Sequence, residues 1–354
     1  MQASEWYMVS DLHLDGGQGR DVNAALPRFL DTVVRGSTAS RRHLVLLGDT
    51  FDLHGPVRQS SAALALRLTS LAHCHAAILD ALATCVRSGI GLHVVGGNHD
   101  IELIRPAAAA LFTTLLGLEV GHPGVRFSPW VIHQPGVFYA EHGNQHHDLN
   151  RMPTVLSVRE GGDRRQDLPV TPLGAASRGD PWSSGKPATV LRVAASVRSA
   201  RRHERMARTP WYQGLLDREA TGLGVSGQTL AEVAAVSGFA TARALAAGAR
   251  RTVERHLGVD RPGTYLAPRA AAIHRVLTGH GVPAAAYVFG HNHRAERLDL
   301  PDHPAAAYLN AGTWSNQVRG SGPDQDDRQL FPFVRISAGP DRVDSELLFW
   351  RHLR

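Results

Sequence analysis

The chain has 354 residues, of which 43% are hydrophobic and 20% are charged, so it can bury a substantial core as one large domain or two ordinary ones. Its formal charge of +6 is modest for this length and falls short of the clustered basic stripe of a dedicated nucleic-acid-binding protein, which excludes that class. Its apolar runs are shorter than the roughly 18–20 residues needed to span a bilayer, so we expect a soluble protein or, at most, one peripheral to a membrane.

Residues 1–150 are typical of an α/β protein, because short apolar runs alternate with helical patterns. The first run begins at Trp6 without a charged and apolar leader before it, so we expect no signal peptide and a cytoplasmic location. Over Ser60–Arg87, apolar residues recur at helical spacing, which predicts one helix. Cys74 and Cys85 would lie roughly 16 Å apart along that helix at about 1.5 Å per residue. We therefore expect two buried thiols in a reducing compartment and no disulfide between them.

Residues 151–265 are interpreted as a loop and a helical subdomain inserted into the α/β core. A polar connection rich in glycine and proline follows Asn150, and apolar residues at intervals of three and four predict helices from about Thr189 to His256. The insert carries arginines interspersed with apolar residues: Arg192, Arg198, Arg201, Arg202, Arg205 and Arg208. Three interpretations stay open for them: a solvated helix face, a cluster that grips the distal anionic part of a substrate, or a helix that contacts a membrane surface.

The α/β pattern returns in residues 266–354. A helical pattern at Ala267–Gly281 precedes apolar runs typical of strands, including those that end at Gly290 and Trp314. The core is therefore predicted in two parts on either side of the insert.

Five of the apolar runs end in histidine, aspartate or asparagine. The run "VVGGNHD" ends at Asn98, His99 and Asp100, and taken alone it could be an ordinary turn, because glycine, asparagine and aspartate are common turn residues. The repetition favours a shared site, since residues beyond the carboxyl ends of neighbouring strands converge in a crevice. Pooled, the strand ends supply two carboxylates, one amide oxygen and four imidazoles: Asp11, His13, Asp49, Asn98, His142, His291 and His293.

This donor set predicts a metal centre. Oxygen and nitrogen donors without thiolates suit Mn, Fe, Zn or Co better than Ca or Mg. Seven ligands with one shared carboxylate furnish two four-ligand sites with room for water and substrate oxygens, which is typical of a two-metal hydrolytic centre. Asp11 with His13, and His291 with His293, are two residues apart, so each pair would face the same side of an extended segment.

In this order, the segments "DLH", "GDTFD", "GNHD", "HG" and "GHNH" resemble the signature blocks of the calcineurin-like metallophosphoesterases, which run D-x-H, G-D-x-x-D, G-N-H-D/E, H and G-H-x-H. The later "YLNAGTW" also resembles members of that family. The resemblance covers the core on both sides of the insert. It implies a four-layer αββα sandwich with mixed sheets, here with an inserted helical subdomain, and an enzyme that hydrolyses a phosphoester or pyrophosphate bond.

The resemblance also implies a role for each residue of the blocks. One metal ion would be bound by Asp11, His13, Asp49 and His293, and the other by Asp49, Asn98, His142 and His291, with Asp49 as the bridge. Mn is the expected metal, with Fe, Zn or Co as alternatives. A metal-bound hydroxide would attack phosphorus, and His99 would protonate the leaving group or stabilise its charge. Asp52 is expected to support a ligand or fix its loop, and Asp100 to fix the tautomer and orientation of a neighbouring histidine.

The blocks bind the phosphorus centre that all substrates of the family share, so they do not select among monoesters, diesters and pyrophosphates. A small-molecule or lipid-linked phosphate is the expected substrate. The helical insert is loosely similar to that of the UDP-diacylglucosamine pyrophosphatase branch of the family, which has a lipid substrate, and this likeness is an analogy. The oligomeric state stays open. The alternatives are a phosphoprotein phosphatase or nuclease of the same superfamily, and a non-catalytic binding module. Every expected ligand position and His99 are filled, which disfavours the binding module.

Overall fold

The computed structural model describes residues 3–16, 20–53, 60–147, 150–152, 154–160, 205, 207–236, 263, 265–301, 303–315 and 330–351. The chain divides into two compact units. The first consists of Met1–Leu53, Ser60–His142 and Ala284–Arg354, and the second is built from Gly143–Pro283. All the predicted ligands belong to the first unit, so their geometry is described within it.

The described part of the first unit contains eleven strands in two sheets. They are β1 (Ser4–Val9), β2 (Arg41–Leu47), β3 (Gly91–Val95), β4 (Val125–Ser128), β5 (Val131–Gln134), β6 (Phe138–Glu141), β7 (Ala286–Phe289), β8 (Ala295–Leu300), β9 (His303–Ala311), β10 (Leu330–Ala338) and β11 (Val343–Arg351). One sheet has the order β11-β10-β1-β2-β3-β4, and the other has the order β5-β6-β7-β9-β8.

Both sheets are mixed. In the six-stranded sheet β1 to β4 are parallel, whereas β10 runs antiparallel to β1 and to β11. In the five-stranded sheet β6, β7 and β9 are parallel, and the edge strands β5 and β8 are antiparallel to their neighbours. Parallel neighbours have their carboxyl ends at the same edge of a sheet, which is what a site built from strand ends requires.

The two sheets share one hydrophobic core. Strand alternation directs Met8 of β1 and Val45 of β2 into this core, where they join Phe138 of β6 and Val288 of β7. The ring of Trp6 meets the ring of Phe138 edge to face, with centroids 4.9 Å apart. An α/β protein with two mixed sheets is thereby confirmed, while the calcineurin-like four-layer arrangement stays a prediction.

Seven α-helices are present among the described residues: α1 (Arg20–Phe29), α2 (Ser61–Cys74), α3 (Ala76–Arg87), α4 (Pro106–Leu115), α5 (Pro210–Gly222), α6 (Gly227–Val236) and α7 (Ala267–Gly279). On the face of the six-stranded sheet away from the shared core, Phe29 of α1 packs against Phe333 of β10, with centroids 4.8 Å apart. Within the described ranges no single helix is long and apolar enough to cross a membrane. Taken together, the bent pair α2 and α3 has the length and the apolar composition of such a segment.

The single helix expected over Ser60–Arg87 is wrong, because the chain bends by 89° between α2 and α3. The bend lies at His75, which is buried. One ring nitrogen of His75 lies 2.7 Å from Asn23 Oδ1, and the other lies 2.8 Å from the carbonyl oxygen of Asp15. These contacts with distant parts of the chain hold His75 outside helical geometry, and the local periodicity of the sequence carries no trace of them.

The bend changes the surroundings of the two cysteines. Cys74 at the end of α2 is exposed, so the expectation of two buried thiols is wrong for it. Cys85 in α3 is buried, and burial raises the pKa of its thiol to about 11. Both cysteines are free thiols, which confirms that they form no disulfide with each other.

The described part of the second unit is helical. Thr209 caps α5 by accepting a hydrogen bond from the Tyr212 N–H, and Pro210 occupies the first turn, where its missing N–H costs nothing. α6 contacts both α5 and α7. Arg159 forms an ion pair with the buried Glu219 of α5. α5 and α6 lie within residues 189–256, for which the sequence predicts helices.

The predicted boundaries of the insert stay predictions. The compact units change at His142/Gly143 and at Pro283/Ala284, which places α7 in the second unit, whereas the sequence divides at residues 150/151 and 265/266. The predicted glycine- and proline-rich loop and most of the arginine series, from Arg192 to Arg202, lie outside the described residues.

Candidate metal centre

The predicted ligands follow strands from both sheets. Those strands are β1, β2 and β3 of the six-stranded sheet and β6 and β7 of the five-stranded sheet, and within each sheet they are parallel neighbours. Contacts join the two sets of strand ends: His142 Nδ1 lies 2.9 Å from the carbonyl oxygen of Leu47, and the His291 N–H donates to Asp11 Oδ2 at 3.0 Å. The strand ends of both sheets therefore meet at one edge of the first unit.

Asp11, His13 and His293 form one group of potential ligands. Asp11 Oδ1 lies 3.0 Å from His293 Nε2 and 3.7 Å from His13 Nε2, and the two Nε2 atoms are 3.2 Å apart. Atoms that each bind one transition-metal ion at about 2.1 Å lie roughly 3–3.5 Å from one another. The spacing of these three side chains thus fits a shared cation.

Asp49, His142 and His291 form a second group. His142 Nε2 lies 3.1 Å from Asp49 Oδ2, and the rings of His142 and His291 are 5.2 Å apart between centroids. Asn98, the remaining predicted ligand, follows β3 with its side chain buried. This group also has the spacing and the chemistry of a cation site.

Asp49 lies between the two groups. Its Oδ2 is 3.1 Å from His142 Nε2 on one side and 3.9 Å from His13 Nε2 on the other. His99 Nε2 is 4.0 Å from the same oxygen, and His13, Asp49 and His99 form a third combination that could hold a metal ion. The position of Asp49 suits a bridging ligand, and the third combination gives His99 a second interpretation, as a ligand in place of an acid.

Three of the potential ligand atoms are buried without a hydrogen-bond partner, namely Asp11 Oδ1, Asn98 Oδ1 and His142 Nε2. For Asp11 and His142 an imidazole or carboxylate atom lies within 3.0–3.1 Å, but the pairs are not aligned as donor and acceptor. A buried polar atom left unpaired costs about 1–3 kcal/mol. A cation in each group would satisfy these atoms, so these residues fit metal ions better than they fit a hydrogen-bond network.

The buried carboxylates and imidazoles shift one another's protonation. Burial disfavours charge on Asp11, but the nearby imidazoles of His142 and His293 outweigh it and hold the pKa of Asp11 below its ordinary value. Burial also disfavours charge on His142, but Asp49 and Asp11 outweigh it and raise the pKa of His142 to about 9. Imidazole binds metal in its neutral form, so a cation would take the place of such protons.

Positive φ marks the ligand positions. Among the described residues, the non-glycine residues with positive φ are Asp11 (54°), His13 (47°), Asp49 (50°), His291 (68°) and His293 (60°), all of them predicted ligands. Left-handed backbone costs about 1–2 kcal/mol per L-residue and persists only where the surroundings impose it. The paired ligands therefore converge through left-handed turns, which corrects the extended geometry that their spacing predicts.

Two glycines allow the loops to approach closely. A Cβ atom at Gly97 would collide with the carboxylate and the backbone nitrogen of Asp49. At Gly48, whose φ is +83°, a Cβ atom would lie 2.5 Å from the His142 ring. Side chains at these two positions would push Asp49 and His142 out of place.

Asp52 connects His13 with His99. Its Oδ1 accepts hydrogen bonds from Nδ1 of His13 at 2.9 Å and from Nδ1 of His99 at 2.8 Å. Because a carboxylate can only accept, both imidazoles carry a proton on Nδ1, and their Nε2 atoms are directed at the ligand groups. Burial opposes charge on Asp52, but these two histidines outweigh it and keep the pKa of Asp52 below its ordinary value.

Arg67 was not identified from the sequence. Its guanidinium donates through Nε at 3.1 Å and Nη2 at 2.7 Å to the carbonyl oxygen of Asp52. It therefore anchors the loop that carries Asp52. No sequence signal distinguishes Arg67 from other arginines, because it lies fifteen residues away on α2.

Asp100 has a different role from the one expected. Its carboxylate is fully buried and accepts from four backbone N–H groups, those of Gly97 (2.8 Å), Thr50 (2.7 Å), Asp49 (3.2 Å) and Phe51 (3.3 Å). It thus ties the loop after β2 to the loop after β3. The expectation that Asp100 fixes a histidine is wrong, because its carboxylate lies against backbone nitrogens, and Asp52 holds the imidazoles.

No protein-family model matches the chain, and no curated protein matches it either. Among solved structures, the chain is similar to the crystal structure of phosphopantetheinyl hydrolase (PptH) from Mycobacterium tuberculosis. The sequence identity is 12% and the TM-score is 0.29, with 91% of this chain and 97% of that chain covered. Similarity at this level does not establish a shared activity, and the function proposed below rests on the residues of the centre.

Proposed function

We propose that this chain is a metal-dependent hydrolase of phosphoester or pyrophosphate bonds that uses two divalent transition-metal ions. The observation that carries the proposal is the position of Asp49 between two groups of buried ligand atoms, 3.1 Å from His142 and 3.9 Å from His13. Two such groups around one carboxylate match the pattern that hydrolytic two-metal centres use. The resemblance of the five motif blocks to calcineurin-like metallophosphoesterases supports the same assignment.

The proposed ligand sets follow the two groups. The first ion would be held by Asp11, His13, Asp49 and His293, and the second by Asp49, Asn98, His142 and His291. Mn is the proposed metal, with Fe, Zn or Co as alternatives that the same oxygen and nitrogen donors accept. When bound, the two ions neutralise the phosphoryl oxygens and activate water as the nucleophile.

His99 is proposed to carry the proton that the leaving oxygen needs. Asp52 holds its Nδ1 at 2.8 Å, which directs Nε2 toward the centre. The side chain is 30% exposed, so a substrate can reach it from solvent. As the bond between phosphorus and the leaving oxygen breaks, that oxygen takes the proton from Nε2.

The experiment that tests the proposal is reconstitution of metal-free protein with Mn, Fe, Zn or Co. Elemental analysis should find two ions per chain. Hydrolysis should then be measured on phosphomonoesters, phosphodiesters, nucleotide pyrophosphates and their lipid-linked forms, of which at least one class should be cleaved only by the metal-loaded protein. Wild-type protein that holds no ions under metal-replete conditions, and gains no activity with Mn, would overturn the proposal.

A matched pair of variants identifies the ligands. His142→Gln should lower metal affinity, whereas His133→Gln should leave it unchanged, because His133 is also a buried imidazole of the five-stranded sheet but belongs to neither ligand group. Asp49→Ala should lose both ions together. Retention of one firmly bound ion in Asp49→Ala would show that this carboxylate is not a bridge.

A further inference from the structure

The end of β9 and the segment that follows it contact two of the loops that carry ligands. Thr313 Oγ1 donates to the carbonyl oxygen of Asp11 at 2.8 Å, and the Trp314 N–H donates to the same oxygen at 3.2 Å. Asn310 Nδ2 donates to the carbonyl oxygen of Gly290 at 2.8 Å. One short stretch of chain therefore holds both the loop after β1 and the loop after β7.

These hydrogen bonds fall where the backbone is left-handed. Asp11 has a φ of 54°, and His291, whose peptide bond is formed by the Gly290 carbonyl, has a φ of 68°. A strained conformation of this kind persists only when neighbouring groups impose it. Thr313 and Asn310 supply side-chain donors that fix the orientation of the two peptide groups involved.

The segment itself is firmly held. Trp314 is fully buried, its indole N–H donates to the carbonyl oxygen of Pro332 at 2.6 Å, and its ring lies 4.7 Å from that of Phe331 between centroids. Asn310 Oδ1 accepts from the Gly312 N–H at 3.0 Å, which leaves its Nδ2 directed at Gly290. Asn310 is also fully buried. A side chain fixed in this way transmits its position to the loop that it contacts.

The two loops supply ligands to both groups. The loop after β1 supplies Asp11 and His13 to the first group, whereas the loop after β7 supplies His293 to the first group and His291 to the second. The separation of the two proposed ions therefore depends on how these loops are held relative to each other.

We infer that Asn310 and Thr313 are positioning residues that set the separation of the two metal ions, an inference that rests on the two-metal function proposed above. Neither side chain is a proposed ligand. Each acts through a backbone carbonyl, Thr313 at Asp11 and Asn310 at Gly290. The "YLNAGTW" motif thereby acquires a role in the centre.

The test compares Thr313→Val, which keeps the shape and removes the hydroxyl, with Thr313→Ser, which keeps the hydroxyl. Thr113→Val is the matched control, because Thr113 is likewise buried and its hydroxyl donates to a backbone carbonyl, that of Ala109 at 2.9 Å in α4. Each protein is loaded with Mn²⁺, and electron paramagnetic resonance reports whether the two ions are exchange-coupled, which depends on their separation. Turnover is measured on the substrate found for the wild type.

Thr313→Val should show an altered coupled spectrum and a turnover 10- to 100-fold lower at unchanged KM, the usual cost of disturbing a group that orients metal ligands. Thr313→Ser and Thr113→Val should resemble the wild type. If Thr313→Val does not fold, Asn310→Asp takes its place, since it keeps the oxygen that accepts from Gly312 and removes the donor to Gly290. A coupled spectrum and turnover like those of the wild type in the variant that folds would overturn the inference, as would a Thr313→Ser protein as impaired as Thr313→Val.

The two proposals fail in different ways. Wild-type protein that binds a coupled Mn²⁺ pair but hydrolyses no phosphoester refutes the proposed reaction, and the spectra of the variants still decide the role of Thr313. Wild-type protein that binds no coupled pair of ions and hydrolyses no phosphoester refutes both proposals. Normal hydrolysis by the wild type with no effect of Thr313→Val or Asn310→Asp refutes only the positioning role.

Discussion

Replacing Asp52 with alanine should have two separable effects, because one carboxylate oxygen serves two histidines. Its Oδ1 accepts from His99 at 2.8 Å and from His13 at 2.9 Å. Loss of the first hydrogen bond frees the proposed acid from its orientation. Loss of the second loosens a proposed ligand of the first metal ion.

The size of each effect follows from the hydrogen bonds. A hydrogen bond to a charged group contributes roughly 1.5–3 kcal/mol, and the Asp52 side chain is 26% exposed, which favours the lower end of that range. About 1.5–2 kcal/mol corresponds to a factor of about 10–30 in a rate or an affinity. We therefore expect turnover at saturating metal to fall about 10- to 30-fold through His99, and metal affinity to fall by a similar factor through His13.

A double-mutant cycle separates the two paths. Metal affinity is measured by titration of metal-free protein, and turnover is measured at saturating metal, where weaker binding no longer matters. In the His99→Asn background, Asp52→Ala should leave turnover nearly unchanged, since the residue that it orients is gone, while the loss of metal affinity through His13 persists. A further loss of 10-fold or more in that background would refute the role of Asp52 as the group that orients His99.

Three other predictions test separate features. His99→Asn should keep both ions, and its turnover should be roughly 10²–10⁴-fold lower than that of the wild type. This deficit should be smaller for substrates with a nitrophenol leaving group than for substrates with poor alcohol leaving groups. Loss of an ion in elemental analysis would instead identify His99 as a metal ligand. Burial, together with neighbouring positive charge, lowers the pKa of His43 to about 4 and the pKa of His93 to about 3. Below about pH 6.5 the unfolded chain therefore binds protons at these histidines that the folded chain does not bind. The free energy of unfolding should consequently fall as the pH drops from about 6.5 toward 4. Urea denaturation should show that the free energy of unfolding decreases between pH 7 and pH 4.5, and that this decrease is roughly 2–3 kcal/mol smaller in His93→Gln than in the wild type. Equal decreases in the two proteins would refute the lowered pKa of His93. Asp100→Ala should lower the free energy of unfolding by roughly 2–4 kcal/mol, because it leaves buried N–H groups without an acceptor. Asp80→Ala, at an exposed position, should leave the free energy of unfolding unchanged. An unfolding curve for Asp100→Ala that matches the wild type would contradict this prediction.

The strand ends of the centre were predictable because their signal is local. An apolar run followed within two residues by Asp49 or His142 records both the strand and the ligand in a short stretch of sequence. The parallel order of the strands then brings the ends together, and that order follows from the alternation of strands and helices along the chain. The α/β class and the pooling of the strand-end residues required nothing from distant contacts, whereas the division of these residues into two sets came from the resemblance of the motif blocks.

Features that depend on distant partners could not be predicted. The bend at His75 is held by Asn23 and by the main chain of Asp15, far away in sequence. The role of Asp100 could not be predicted for the same reason, since two carboxylates in different motifs differ only in what the folded loops place beside them. Strands β4, β5 and β8 were not predicted, because they are short, like β6 and β7, but have no motif residue at their carboxyl ends.

The left-handed backbone at the proposed ligand positions favours one residue type for stability and another for catalysis. Glycine adopts positive φ without the steric penalty, so in the metal-free protein His13→Gly and His293→Gly should each be more stable than the matching alanine variant by up to about 1 kcal/mol, the left-handed cost less the added freedom of the unfolded chain. A variant library sorted for thermal survival without metal should accumulate glycine at these codons, and the same library sorted for hydrolysis should exclude it. Equal glycine frequencies in both pools would show that the backbone carries no such conflict. A gene copy released from selection for catalysis would then be expected to lose these histidines before it loses its hydrophobic core.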